Sequence, residues 1–351
     1  MGRCGCQHGW VNIAELVIMT YLARLFHGLA LPLVLLVAGF FPGVPGHAGP
    51  LRDALSQRQL SPPTPGRTLT VTLPHAGRQR SFLLHVPRSY QPGQPLPLVL
   101  ALHGGGGNMA FMANDRHYGL TRHSDQAGYL LAVPNGTGAL GDKLATWNAG
   151  HCCGKARDEA VDDVAFARAV VAWVQQRYTV AAGRVYAVGM SNGGMMAYRL
   201  ACEAADVFAG IASVAGTDNT LACQPARPLA VLHIHARDDD HVLFDGGAGP
   251  GAFRDERKVT DFTSVPATMA QWQAHNQCRP QPVRSLTVAG AYCERYTGCA
   301  AASALQLCVT EQGGHSWPGG GRTRIGKADP GQALDANDVM WAFFSGLPPR
   351  R

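Results

Sequence analysis

Residues 96–107 read LPLVLALHGGGG, a nearly unbroken apolar run that stops at a histidine and four glycines. A strand with one wet face alternates apolar and polar residues. A run that is apolar throughout belongs where both faces are covered, as in a mainly parallel sheet. The rest of the chain must then supply helices for both sides.

It does so in order. RTLTVTL and SFLLHVP, separated by PHAGRQR, alternate apolar and polar residues and predict an N-terminal β-hairpin. GYLLAVPNG reads as a strand and DEAVDDVAFARAVVAWVQQRY as an amphipathic helix. RVYAVGM is a strand and SNGGMMAYRLACEA a helix. GIASVAG and PLAVLHIHA follow as strands, SVPATMAQWQAHNQC as a helix, SALQLCVTE as a last strand and DANDVMWAFF as a closing helix. Strands separated by helices predict an α/β fold with a mainly parallel central sheet and helices on both faces. A composition 46% hydrophobic and only 15% charged fits such a core. The formal net charge of +6 is spread thinly, with no lysine/arginine run, so nucleic acid is not expected as a partner.

The first residues read differently. Arg24 precedes an apolar stretch from Leu29 to Phe41, then come prolines and glycines and the small-x-small site Gly46-His47-Ala48. That order predicts a signal peptide over 1–48, with Met19 as an alternative start because TYLARLF makes the more ordinary n-region. The apolar core of about thirteen residues is short of the roughly twenty that a membrane span needs, so export and cleavage are expected rather than a stable anchor. Residues 49–66 are polar and proline-rich and read as a linker, leaving 67–351 as the catalytic domain. Eight of the ten cysteines lie beyond the presequence: Cys152, Cys153, Cys202, Cys223, Cys278, Cys293, Cys299 and Cys308. An even number in an exported chain predicts disulfides, among them one tying Cys202 to another segment, with the pairing left open. Secretion, extracellular or periplasmic, follows from the two observations together. The oligomeric state stays open.

Chemistry centres on Gly189-Met190-Ser191-Asn192-Gly193, a GxSxG spacing between strand and helix. Such a turn presents the serine in a strained conformation and demands small neighbours, which Gly189, Gly193 and Gly194 provide. A serine hydroxyl needs a base to take its proton and an acid to orient that base. VLHIHARDDDHV supplies Asp238, Asp239 and Asp240 after a strand, with Asp239 preferred. GGHSWPGG supplies His315 after the last strand and before the closing helix, completing the order Ser, Asp, His. Oxyanion donors are expected from the amide of Asn192 and from the glycines after Leu102, with Gly105 first and Gly104 and Gly106 as alternatives. Met195 and Met196 either pack the helix or reach the pocket floor. No Walker Lys-Ser/Thr accompanies the glycines, and no cofactor is implied. Two other readings stand beside this one: a metal-dependent hydrolase using His233, His235, His241 and the aspartates, and an inactive binding protein on the same fold.

Taken in order, LVLALHGGGGN, TWNAGHCCG, VDDVAFARAVV, VYAVGMSNGGMMAYRLAC, HIHARDDDHVLFDGG and GGHSWPGG resemble the motifs of secreted polyhydroxybutyrate depolymerase-like esterases and the related feruloyl and acetyl-xylan esterases. The resemblance runs from Arg67 to Phe344. It implies an α/β-hydrolase fold, no metal, and a triad of Ser191, Asp239 and His315 acting on carboxylic esters through an acyl-enzyme. Where that family reads H-G-T-A-D-P, this chain carries Arg237 and Asp240, a change in the acid's loop. The same matching places Asp162 or Asp163 at a helix start rather than in catalysis. It also puts Trp147 and Trp317 near the site, as substrate contacts or as loop anchors. Because no surface-binding module follows the closing helix, soluble or oligomeric esters are favoured over polymer.

Overall fold

The computed structural model describes residues 64–140, 143–252, 261–301, 303–323 and 329–348. The signal-peptide assignment and residues 49–63 of the linker lie outside these. Twelve strands occur among the described residues: β1 (Arg67–His75), β2 (Arg78–Val86), β3 (Leu96–Leu102), β4 (Leu130–Pro134), β5 (Thr137–Leu140), β6 (Lys143–Thr146), β7 (Val180–Met190), β8 (Gly210–Val214), β9 (Ala230–Ala236), β10 (Val283–Val288), β11 (Ala291–Tyr296) and β12 (Leu305–Thr310). The helices are α1 (Met109–Met112), α2 (Leu120–Ala127), α3 (Gly154–Asp158), α4 (Asp163–Gln175), α5 (Asn192–Glu203), α6 (Val265–His275) and α7 (Ala336–Ser345).

Ten strands form one sheet in the order β1-β2-β4-β3-β7-β8-β9-β12-β11-β10. The six central strands, β4 to β12, pair in parallel, and antiparallel hairpins close both edges. The apolar run of β3 has its explanation here. Leu98, Leu100 and Leu102 enter the core under α4, α5 and α6, while Val99 and Ala101 enter the one under α2 and α7. Both faces are dry, so neither can be polar.

One reading of the sequence is corrected. The segment 158–178 is not one helix: α3 ends at Asp158, Ala160 takes φ 47°, and α4 starts only after Asp162. Of the two acids placed at the helix start, Asp162 is the cap, its side chain accepting from the Ala165 amide, and Asp163 is the first helical residue. It is buried in an ion pair with Arg80 at 2.8 Å and accepts the Asn148 amide at 2.9 Å. Asp163→Ala would strand the buried Arg80 charge, so urea denaturation should show a loss of about 3–5 kcal/mol. The edge hairpin β10–β11 and the β5–β6 hairpin had no counterpart in the sequence reading.

All eight cysteines are paired, as Cys152–Cys153, Cys202–Cys223, Cys278–Cys299 and Cys293–Cys308. Cys202–Cys223 ties the end of α5 to the loop before β9, and Cys293–Cys308 joins directly opposed residues of β11 and β12.

Candidate active site

Strand β7 delivers Ser191 at its C-terminal end, where the residue adopts φ 56° and ψ −122° before α5 begins. A non-glycine residue pays for that conformation, and it persists only where the surroundings enforce it. Here the enforcement is packing. A Cβ on Gly189 would strike the Gly193 backbone, one on Gly193 would strike the Leu102 and His103 carbonyls, and one on Gly216 would strike the Ser191 carbonyl. The Ser191 amide donates to Val214 O at 2.8 Å, anchoring the turn to β8.

From this elbow a hydrogen-bond chain runs inward. Ser191 Oγ lies 2.8 Å from His315 Nε2, and His315 Nδ1 lies 2.8 Å from Asp239 Oδ2 and 3.1 Å from Oδ1. Asp239 is buried at 3% exposure and also accepts the amides of His241 (2.8 Å) and Val242 (3.0 Å). Burial alone would raise its pKa. The neighbouring His315 charge and the hydrogen bonds from His235 and His315 outweigh burial and hold it well below the ordinary carboxylate range. The three consecutive aspartates therefore divide their work. Asp238 accepts the Gly314 amide at 2.8 Å and braces the His315 loop, while Asp240 contacts His241 at 2.5 Å. His241, whose ring stacks on His315 at 4.5 Å, is a site residue that the sequence reading used only as a metal ligand. Nothing in its spacing signals the stacking.

Among the four glycines after β3, the Gly106 amide donates to Ala145 O (2.8 Å) and the Gly107 amide to Gly104 O (3.0 Å). Gly106 is thereby removed as an oxyanion donor, and Gly104 and Gly105 line the cavity beside Ser191 and Asn192. The Asn192 side chain is held away from the substrate space: its Oδ1 accepts the Trp147 amide at 2.7 Å and its Nδ2 donates to Trp147 O at 3.1 Å. His103 braces the glycine loop, with Nδ1–H donating to Gly104 O (2.9 Å) and Nε2 accepting the Gly136 amide (3.0 Å). Burial pushes His103 down to about 4 from 6.5. Below pH 6.5 the unfolded chain binds a proton that the folded one refuses, so stability falls as pH drops toward 4, by roughly 3 kcal/mol from this residue. Guanidinium denaturation at pH 7 and 4.5 should show the loss, reduced in His103→Asn.

Trp147 and Trp317 are corrected as substrate contacts. Each is 1% exposed and neither reaches the cavity. Trp147 Nε1–H donates to His103 O at 2.9 Å, and Trp317 packs edge-on against Tyr118. The cavity, of about 330 Å³, is walled instead by Phe111, Tyr118, Phe262, Met190, Met195 and the Cys152–Cys153 pair. Met196 packs in the core. The metal-ligand reading of His233 and His235 meets an obstacle, since both are buried in β9 and every ring nitrogen already faces a protein partner. The donor atoms of Asp239, His241 and His315 lie within 4.8 Å of one another, but a cation there would break the Ser191–His315–Asp239 chain.

This arrangement can move a proton from a strained serine into an imidazole fixed by a carboxylate. The family model described as "Putative esterase" matches residues 74–319. The chain belongs to this esterase family. Of curated relatives, "Putative esterase NocK" of Nocardia uniformis subsp. tsuyamanensis is 35% identical over 261 residues, covering 70% of this esterase and 72% of the relative. Feruloyl esterase B of Piromyces equi is 27% identical over 245 residues, covering 68% of this chain but 42% of that protein's length. Among solved structures, the acetyl xylan esterase from Aspergillus awamori superposes with a TM-score of 0.54 at 13% identity, covering 80% of this esterase and 99% of that chain. That likeness bears out the α/β-hydrolase architecture expected from the sequence.

Proposed function

We propose that this esterase is a secreted serine hydrolase that cleaves carboxylic esters through an acyl-enzyme, with hydroxycinnamoyl or acetyl esters of polysaccharide and their oligomers as its substrates. The observation that carries the reading is the unbroken chain Ser191 Oγ, His315 Nε2, His315 Nδ1, Asp239 Oδ2 on a strained elbow. Ser191 Oγ attacks the ester carbonyl carbon while His315 takes its proton, and the Asn192 and Gly105 amides hold the oxyanion. His315 then protonates the departing alcohol. A water, deprotonated by His315 in turn, attacks the acyl carbon and releases the acid, restoring Ser191. Asp239 keeps its charge throughout and orients the imidazole.

Cavity size and walls favour an aromatic acyl group. Phe111, Tyr118 and Phe262 offer edges and faces to a phenyl ring, and the volume suits a small acid rather than a crystalline polymer surface. Export rests on residues 1–48 as the signal and on four disulfides, which persist in oxidising compartments. Among the described residues no helix is long and apolar enough to cross a membrane. The test is hydrolysis of methyl ferulate, acetylated xylan and a polyhydroxybutyrate film, each with Ser191→Ala as control. Turnover of methyl ferulate without clearing of the film is expected. A cleared film with methyl ferulate untouched would reverse the substrate assignment.

A further inference from the structure

Behind the Asp239 loop lies a row of buried polar side chains that the proposed mechanism does not use. Tyr198 of α5 and His233 and His235 of β9 are all at most 1% exposed. Tyr198 Oη meets His233 Nδ1 at 2.7 Å, and His233 Nε2 meets His235 Nδ1 at 3.1 Å. His235 Nε2 reaches Val242 O at 2.8 Å and Asp239 Oδ2 at 3.3 Å. We propose that Tyr198, His233 and His235 form a hydrogen-bond wire of fixed polarity that positions Asp239, a role that rests on the assignment of Asp239 as the triad acid.

The polarity follows from the far end. A carbonyl and a carboxylate only accept, so His235 Nε2 carries the proton there. The wire requires that ring to be uncharged, so that Nδ1 is a lone pair and accepts from His233 Nε2–H. His233 is itself neutral, because burial and the adjacent His235 hold its pKa well below the ordinary value. Its Nδ1 accepts from the Tyr198 hydroxyl. Burial, followed by the nearby Asp218 carboxylate, keeps that phenol protonated. In that state each group has one proton arrangement compatible with its neighbours, and the chain of choices ends on the oxygen that receives His315 Nδ1–H. With Oδ1 fixed by two amides, the Asp239 carboxylate has no freedom to turn.

Removing the Tyr198 hydroxyl would leave the buried Nδ1 of His233 without its donor, while Val242 O and Asp239 still hold the proton on His235 Nε2. His233 would lose the bond that fixes its ring, His235 the fixed partner behind it, and the donor to Asp239 its rigid placement.

Tyr198→Phe, a change of one oxygen, tests this. With p-nitrophenyl butyrate we expect kcat to fall about tenfold at unchanged KM, the size of one buried hydrogen bond. Imidazole nitrogen NMR should show His233 and His235 as single Nε2–H tautomers in the parent enzyme, and in the variant a shifted His233 Nδ1 resonance that reports the lost donor. His235→Gln can place an N–H where Nε2–H stands and should keep about a third of kcat, whereas His235→Leu should keep about a hundredth. Circular dichroism and urea midpoints establish that each variant folds. An Nδ1–H tautomer at His235 in the parent enzyme would overturn the wire. So would Tyr198→Phe with unchanged kcat and an unchanged His233 Nδ1 resonance, or folded Gln and Leu variants of equal activity. Fluorophosphonate labelling separates the two levels: a parent enzyme not labelled at Ser191 sinks the triad and the wire together, while a labelled one with indifferent variants sinks the wire alone.

Discussion

Alanine at position 191 is expected to lower kcat/KM on a chromogenic ester by about 10⁵-fold or more, with the fold intact. Ser191 Oγ is the proposed nucleophile: it lies 2.8 Å from His315 Nε2 and lines the cavity. The substitution also removes a hydroxyl from a residue held at φ 56° without adding bulk, so its urea midpoint should stay close to that of the parent. Residual turnover near that of the amides and the cavity acting alone is the expected floor. A variant with a tenth of parental activity would mean that another group performs the attack.

The second large effect is expected at Asp239. Asp239→Asn keeps the shape, but the amide must turn one N–H toward a neighbour. Four donors converge on this carboxylate, from His315, His235 and the amides of His241 and Val242. An asparagine presents a donor to at least one of them and favours the wrong tautomer of His315. A fall in kcat of about 10³–10⁴ follows, measured by steady-state kinetics. Because Asp239 is the carboxylate bonded to His315, the loss should exceed that in Asp240→Asn, whose carboxylate meets His241 and not His315. Comparable losses in the two variants would move the triad acid.

Much of this architecture is legible in the chain because burial leaves a signature. The double-sided strand β3, the elbow glycines and the order of Ser191, Asp239 and His315 each demand residue types that can be read without coordinates. Other parts have no such signature. Strand β10 is exposed along its length, so VRSLTV shows no alternation to betray it. β5 and β6 are four residues each, too short for a period to emerge. Trp147 looks like a pocket aromatic until Asn192, 45 residues away, clamps its backbone and His103 takes its indole N–H. Asp238, Asp239 and Asp240 are chemically identical in sequence. Only the turn after β9 sends one to a loop amide, one to His315 and one to His241. Disulfide pairing likewise depends on which loops the sheet order brings together.

The central claim is that Ser191 is the nucleophile of a metal-independent ester hydrolysis. Its most direct test is to inactivate the enzyme with a fluorophosphonate and locate the adduct by mass spectrometry of the peptide containing Ser191, alongside a chelator-treated sample. A single adduct on Ser191, forming in step with loss of activity and with the chelator harmless, is the predicted result. Loss of activity to the chelator alone, with Ser191 unmodified by the fluorophosphonate, would contradict it.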